Sequence, residues 1–180
     1  MKQSEYKRAV SQINRPNRIA LAVSQSANEE KTNIITLGWF MRTSIEPPMF
    51  AISVGVSRYS YQLLSDNRKF VLAFPSHKMT QQVLQCGTKT GKSVDKISEF
   101  NIKTKPAKLS SIPLLTDAVA NFECKTVSQI RTGDHTIFIG EVKYSWINEN
   151  KDLKLLLSVE DNDKYDIISK GEYHSFGLIK

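Results

Sequence analysis

The sequence predicts a closed antiparallel β-barrel carrying a few short helices, on three observations. Short β-type runs recur between turn residues from Ile19 onward, one long hairpin is signalled by Gly133-Asp134, and the helical patterns are too short to build a layer. Closure follows because so many strands in an open sheet would leave exposed edges. A length of 180 residues suits one domain, so residues 1–180 are read as a single unit.

Each element has its own signal. Residues 1–16 place Tyr6, Ala9, Val10 and Ile13 at roughly helical spacing, which predicts an outer amphipathic helix stopped by Pro16. Four β-type runs follow, Ile19 to Val23, Ile34 to Met41, Met49 to Val56 and Phe70 to Phe74. Helices are expected from Ser60 to about Asn67 and from Met79 to about Gln85, the second capped by Ser76 and ended near Gly87. Lys89 to Leu115 reads as an extended connection with one short strand around Phe100 to Thr104.

In Ala118 to Ile130, alternation puts Ala118, Ala120, Phe122 and Cys124 on one face and Glu123, Lys125, Gln129 and Arg131 on the other. Gly133-Asp134 turns the chain into Ile137 to Trp146, with Phe138, Gly140, Val142, Tyr144 and Trp146 sharing a face. After Asn148, the apolar run Leu153 to Val159 is separated by acidic residues 160–163 from a Gly- and Tyr-containing tail. Residues 150–180 are expected to pack as an extension on the barrel or on a dimer partner.

Composition narrows the function. With 40% hydrophobic and 24% charged residues the chain is neither disordered nor fibrous. No apolar run approaches a membrane span and residues 1–18 carry no signal-peptide core, which predicts a cytoplasmic protein without a membrane role. Cys86 and Cys124 lack disulfide or zinc spacing, and His77, His135 and His174 stand apart, so no metal is expected. The net charge of +7 is uneven. Residues 1–110 hold 17 Lys and Arg against 7 Asp and Glu, and residues 111–180 hold 8 against 11. That basic part invites an anionic partner, but no nucleic-acid recognition module accompanies it, and a small phosphate-bearing ligand satisfies the charge equally.

Four polar segments stand out within apolar surroundings. Asn33, Thr36 and Gly38 interrupt the run ending at Trp39, either to admit a flat ligand or to make a bulge at a subunit contact. Ser57-Arg58-Tyr59-Ser60-Tyr61 opens a helix and suits a phosphate; alternatively, Ser57 caps the helix and Arg58 is solvated. Cys86 to Lys96, dense in Gly, Thr and Lys, reads as a donor-rich loop for an anion or an exposed connection. Gly133-Asp134-His135 brings a histidine to a tight turn. Neither a nucleotide glycine loop, a serine elbow nor a metalloprotease motif is present.

In order, Asn33-Ile-Ile-Thr36-Leu37-Gly38-Trp39, Glu46-Pro47-Pro48, Arg58-Tyr59-Ser60-Tyr61, Phe74-Pro75-Ser76, Cys86-Gly87, Val94-Asp95-Lys96 and Gly133 to Val142 resemble the flavoredoxin branch of the flavin reductase-like proteins. The resemblance runs from about residue 15 to residue 145. It implies an FMN-binding split β-barrel, paired as a homodimer with flavin sites near the interface. Asn33, Thr36, Leu37, Gly38 and Trp39 would line the flavin, and Arg58, Tyr59 and Ser60 would take its phosphate end. Cys86, Gly87, Lys92, Lys96 and His135 would lie about the ring, Lys96 and His135 tuning it. The implied activity passes electrons from NADH or NADPH through FMN to a small-molecule or protein acceptor. The alternative it leaves is an electron carrier without nicotinamide oxidation of its own.

Overall fold

The computed structural model describes residues 3–11, 13–27, 31–160, 164–170 and 175–179. In chain order the elements are α1 (Tyr6–Ser11), β1 (Asn17–Arg18), β2 (Ala20–Gln25), β3 (Thr32–Leu37), β4 (Phe40–Ser44), β5 (Met49–Gly55), α2 (Tyr59–Asn67) and β6 (Lys69–Pro75). A 3₁₀ turn (His77–Met79) leads into α3 (Thr80–Thr88), followed by α4 (Lys96–Glu99), β7 (Thr104–Lys105) and β8 (Leu114–Leu115). The long β9 (Ala118–Thr132) and β10 (His135–Ile147) come next, then β11 (Leu157–Val159), β12 (Tyr165–Lys170) and β13 (Ser175–Ile179). Residues 161–163 of the acidic stretch and His174 lie outside the described residues.

Seven strands form one antiparallel sheet in the order β3-β2-β6-β9-β10-β5-β4. Its two edge strands, β3 and β4, are consecutive in the chain and joined by Gly38 and Trp39 alone. Three residue steps reach about 11 Å at most, so the edges must meet and the sheet rolls up. Because β3 and β4 do not ladder to each other, the barrel is split there. This corrects the expectation of one strand from Ile34 to Met41: the chain leaves one edge at Leu37 and enters the opposite edge at Phe40. No helix of the described residues is long and apolar enough to cross a membrane.

Two cores explain why β2 reads as continuously apolar. Ala20 and Ala22 face the barrel interior with Ile52, Phe70, Leu72 and Phe138, while Ile19, Leu21 and Val23 face an outer core with Val83, Ile112, Leu115, Leu156 and Phe176. The outer core holds α3 and the C-terminal segment against the barrel. There β11, β13 and β12 join β1 in a second sheet of order β1-β11-β13-β12.

Several expectations change. Tyr6 and Ile13 are exposed, so α1 buries no continuous apolar face and stops well before Pro16. Ser76 occupies the position before the 3₁₀ turn without a side-chain capping bond. The connection from Lys89 to Leu115 contains α4, whose N-cap Asp95 accepts from Ile97 N and Ser98 N, and its strand pair is Thr104–Lys105 with Leu114–Leu115 instead of residues 100–104.

On β9 the face expected to be polar is exposed at Lys125, Gln129 and Arg131 but covered toward its start. Asn121 and Glu123 are buried, and Glu123 accepts from Lys108 N, Leu109 N and Trp146 Nε1, pinning the covering loop. On β10, a bulge between Val142 and Tyr144 shifts the register. One extra residue reverses which side chains face inward, so Phe138 joins the barrel core and Trp146 packs on the outer core.

Candidate functional site

Two adjoining cavities open where the barrel splits. The larger, about 400 Å³, is lined by Thr36, Leu37, Gly38, Trp39, Arg58, Gly87 and His135 among others. The smaller, about 260 Å³, is lined by Asn33, Arg58, Tyr59, Ser60, Cys86, Gly91 and Lys96 among others. Thr36, Arg58 and Gly87 border both. The structure thus gathers twelve of the thirteen residues singled out in the sequence, from β3, the β3–β4 corner, the start of α2, α3, α4 and the β9–β10 turn. The exception is Lys92, an exposed residue that borders neither cavity and whose carbonyl accepts from Lys31 Nζ at 3.0 Å.

The smaller cavity gathers positive charge, with Arg58, Lys89 and Lys96 in its lining. Lys96 is 3% exposed, and its Nζ donates to Ile34 O at 2.6 Å and Cys86 O at 2.8 Å. An ammonium has three donors, so one remains beyond these two bonds. Burial lowers the Lys96 pKa, partly countered by the nearby Cys86. Arg58 precedes α2, whose N-terminus has no side-chain cap, so main-chain N–H groups there retain hydrogen-bonding capacity. Ser57 is therefore not the cap that the sequence allowed. Among the described residues, no aspartate or glutamate lines either cavity.

Asn33 supplies a second sign of a missing partner. Its Nδ2 donates to Ser60 Oγ at 2.7 Å, while its buried Oδ1 has no hydrogen-bond partner. Turning the amide would only exchange which polar atom is left over, and a buried polar atom without a partner costs about 1–3 kcal/mol. Gly91 closes against this amide. A Cβ at that position would come 2.1 Å from Asn33 Oδ1 and 3.2 Å from Tyr59 Cδ1.

The larger cavity is shaped more than charged. Thr36 Oγ1 donates to Val83 O at 2.6 Å, which commits its proton to holding α3 on β3. Gly87 lies in the last turn of α3 and not in a loop, with Thr36 Cβ 3.4 Å from where its own Cβ would be. Cys86 is equally helical. Its thiol is buried in the outer core and burial pushes it up to about 11, so the carbonyl, not the sulfur, serves Lys96. At the rim, exposed Trp39 lies against His135 with ring centroids 4.7 Å apart.

His135 Nδ1 is 2.7 Å from Asp134 Oδ1. A carboxylate only accepts, so Nδ1 carries the proton and Nε2 is the acceptor of the neutral ring. This hydrogen bond holds the Asp134 pKa below its usual value. Lys96 and His135, paired in the sequence reading, border different cavities. Asn14, Arg15, Asn17, Ser158 and Phe176 also line the larger cavity. They were not singled out, and for Ser158 and Phe176 only the fold brings the C-terminal sheet to the site.

Comparison with known proteins places this geometry. Residues 14–166 match the model of the flavin reductase like domain. The chain belongs to the flavin reductase-like family. It is 32% identical over 113 residues to a protein of Archaeoglobus fulgidus, covering 63% of this chain and 64% of that one. It is 28% identical over 109 residues to the FMN reductase (NADH) SmoA of Agrobacterium fabrum, covering 60% and 58% respectively. The matched part spans less than two thirds of either relative's length. Among solved structures, flavoredoxin from Methanosarcina acetivorans superposes with a TM-score of 0.76 at 22% identity, covering 92% of this chain and 86% of that one. At that identity the likeness concerns the fold, a split β-barrel.

Proposed function

We propose that this flavin reductase-like chain binds FMN across the two cavities and transfers electrons through it, from NADH or NADPH to a small-molecule or protein acceptor. The observation that carries the reading is the smaller cavity, where Arg58, Lys96, the uncapped start of α2 and the unpartnered Asn33 amide oxygen converge with no acidic residue among the described ones. Those groups suit a mononucleotide phosphate and its polar neighbours. Thr36, Leu37, Gly38, Trp39 and Gly87 supply walls for a flat ring in the larger cavity.

FMN, when bound, supplies hydride and single-electron chemistry. The chain's own residues bind and orient it. Arg58 offers a planar fork of donors at the border of the two cavities. Lys96, fixed by two carbonyls, places positive charge without a flexible stem. His135, its Nδ1 proton held by Asp134, offers Nε2 beside Gly55. Trp39 at the rim shields one side of the larger cavity from water.

We further propose that the protein works as a homodimer. The outer face of β4, β5, β10 and β9 carries Met41, Ala51, Ile137, Ile139 and Ile130 in adjoining register rows. Met41 and Ile130 are 58% and 48% exposed. Such a face beside the Trp39 rim marks an interaction surface, and a second copy would cover it.

FMN uptake by the purified protein tests the binding claim: the oxidised flavin spectrum should develop on titration and free FMN should be released on denaturation. Arg58→Gln should weaken FMN binding about tenfold, the loss of one charge-assisted contact. Anaerobic NADH and NADPH should then bleach the bound flavin. Bleaching by neither, with reduction by a partner protein, would instead make the chain an electron carrier.

A further inference from the structure

The segment joining α3 to α4 holds Lys92, the site candidate that reaches neither cavity, and its geometry gives that segment another task. Residues 90–93 form neither helix nor strand. They hang between two fixed points, since Lys89 N closes α3 on Gln85 O and Val94 packs on the outer core. Among the described residues, one hydrogen bond joins them to another segment of the chain, from Lys31 Nζ, just before β3, to Lys92 O at 3.0 Å. The same ammonium lies over the Tyr59 ring, 5.8 Å from its centroid. Thr90, Lys92 and Ser93 are exposed, but Gly91 between them is buried and borders the smaller cavity. Only a residue without a Cβ can sit so close to the Asn33 amide and the Tyr59 ring.

Seating Gly91 has a penalty that a ligand can remove. Asn33 is 1% exposed, and its Oδ1 is shut from water with no protein donor in reach, which opposes the closed arrangement. Lifting residues 90–93 would hydrate that amide at the loss of one exposed lysine bond. A ligand hydroxyl donating to Asn33 Oδ1 removes the penalty in the closed form, so such a ligand favours closure by its differential affinity for the two forms. A hydroxyl also serves if the amide is turned, because it accepts as well as donates. Resting on the flavin reading above, we propose that residues 90–93 are a strap that lifts to admit the ligand and closes over a ligand hydroxyl at Asn33, with Lys31 as its latch. The hydroxyls on the sugar-alcohol chain between a flavin ring and its phosphate are groups of that class.

The test is tryptic cleavage of the full-length folded protein after Lys89 and Lys92. Both are exposed but flank a buried glycine, so cutting requires the strap to lift. Fragment masses give the rates there and, as a control outside the strap, after exposed Lys151; binding of each flavin is followed separately by fluorescence quenching. Saturating FMN should slow cleavage at the strap about tenfold and leave the Lys151 rate within about twofold. Riboflavin, which keeps the hydroxyls and lacks the phosphate, should also protect the strap, and lumiflavin, which carries a methyl group in place of the whole chain, should not. Lys31→Met removes the latch and keeps an apolar stem over Tyr59: cleavage of the flavin-free protein at the strap should rise about fivefold, FMN dissociation should quicken by a similar factor, and Lys31→Arg should restore both. FMN binding without protection of the strap, or unchanged cleavage in Lys31→Met, would overturn the inference and leave the flavin reading standing. Protection by lumiflavin equal to that by riboflavin would assign closure to the ring, and protection by FMN alone would assign it to the phosphate; either overturns the role of the hydroxyl at Asn33. A wild-type chain that takes up no FMN overturns the flavin reading itself and this inference with it.

Discussion

At Gly91 a single methyl group decides whether the smaller cavity keeps its shape. With the Asn33 amide 2.1 Å from the position of a Cβ, Gly91→Ala must displace Asn33 and with it the Ser60 contact. The expected loss is about 1–3 kcal/mol in urea unfolding, the usual cost of overpacking, together with weaker FMN uptake in fluorescence titration. Cys86 gives a pH-dependent test. Its thiol is held up at about 11 in the fold against an ordinary 9.0, so between those values the folded chain binds more protons than the unfolded one. Stability from this group therefore falls as pH rises from about 9 to about 11. The stability difference between wild type and Cys86→Ala should shrink by about 1 kcal/mol from pH 8 to pH 10. A difference that grows over that range would contradict the buried-thiol account. Asn33 was legible in the sequence because it interrupts an apolar run, while Arg58, Lys96 and His135 were picked out through the motifs that resemble the family. The exclusion of Lys92 was not, since nothing local decides which lysine of a loop turns toward a cavity.

Among the elements, α4 shows how a short helix can matter beyond its size. It has four residues, is capped by Asp95 and carries Lys96 into the site. Asp95 accepts from Ile97 N, Ser98 N and Ser98 Oγ. Asp95→Ala should cost about 1 kcal/mol of stability, the usual worth of a helix cap, and should lower FMN affinity by loosening Lys96; both are read from denaturant unfolding and flavin titration of one variant. The long hairpin was plain from its turn, where Gly133 takes a φ of +60° between two apolar alternations. Its faces were not plain beyond Val142, because the bulge before Tyr144 depends on pairing with β9 and leaves no mark in period-two alternation. Glu123 was likewise read as a solvent-facing residue. The loop that brings Lys108 N and Leu109 N to its carboxylate, together with Trp146 Nε1 from β10, makes a buried glutamate tolerable.

For the molecule as a whole, the proposed dimer makes a direct prediction. Met41→Glu places a charge on the apolar face formed by β4, β5, β10 and β9 and should shift the protein from dimer to monomer in sedimentation velocity, since burying an unpaired carboxylate opposes association. Retention of the dimer would move the interface elsewhere. The sequence by itself determined the β-rich class, the hairpin and the chemical types at the site, because alternation, turn residues and isolated polar groups are local properties. Tertiary structure alone decided that Gly38 and Trp39 bridge two edges of one rolled sheet, that twelve of the thirteen residues line two adjoining cavities with Lys92 outside both, and that the C-terminal sheet walls the larger one. Those outcomes rest on contacts between segments far apart in the chain, where geometry is set by packing and strand pairing and not by any neighbour in sequence.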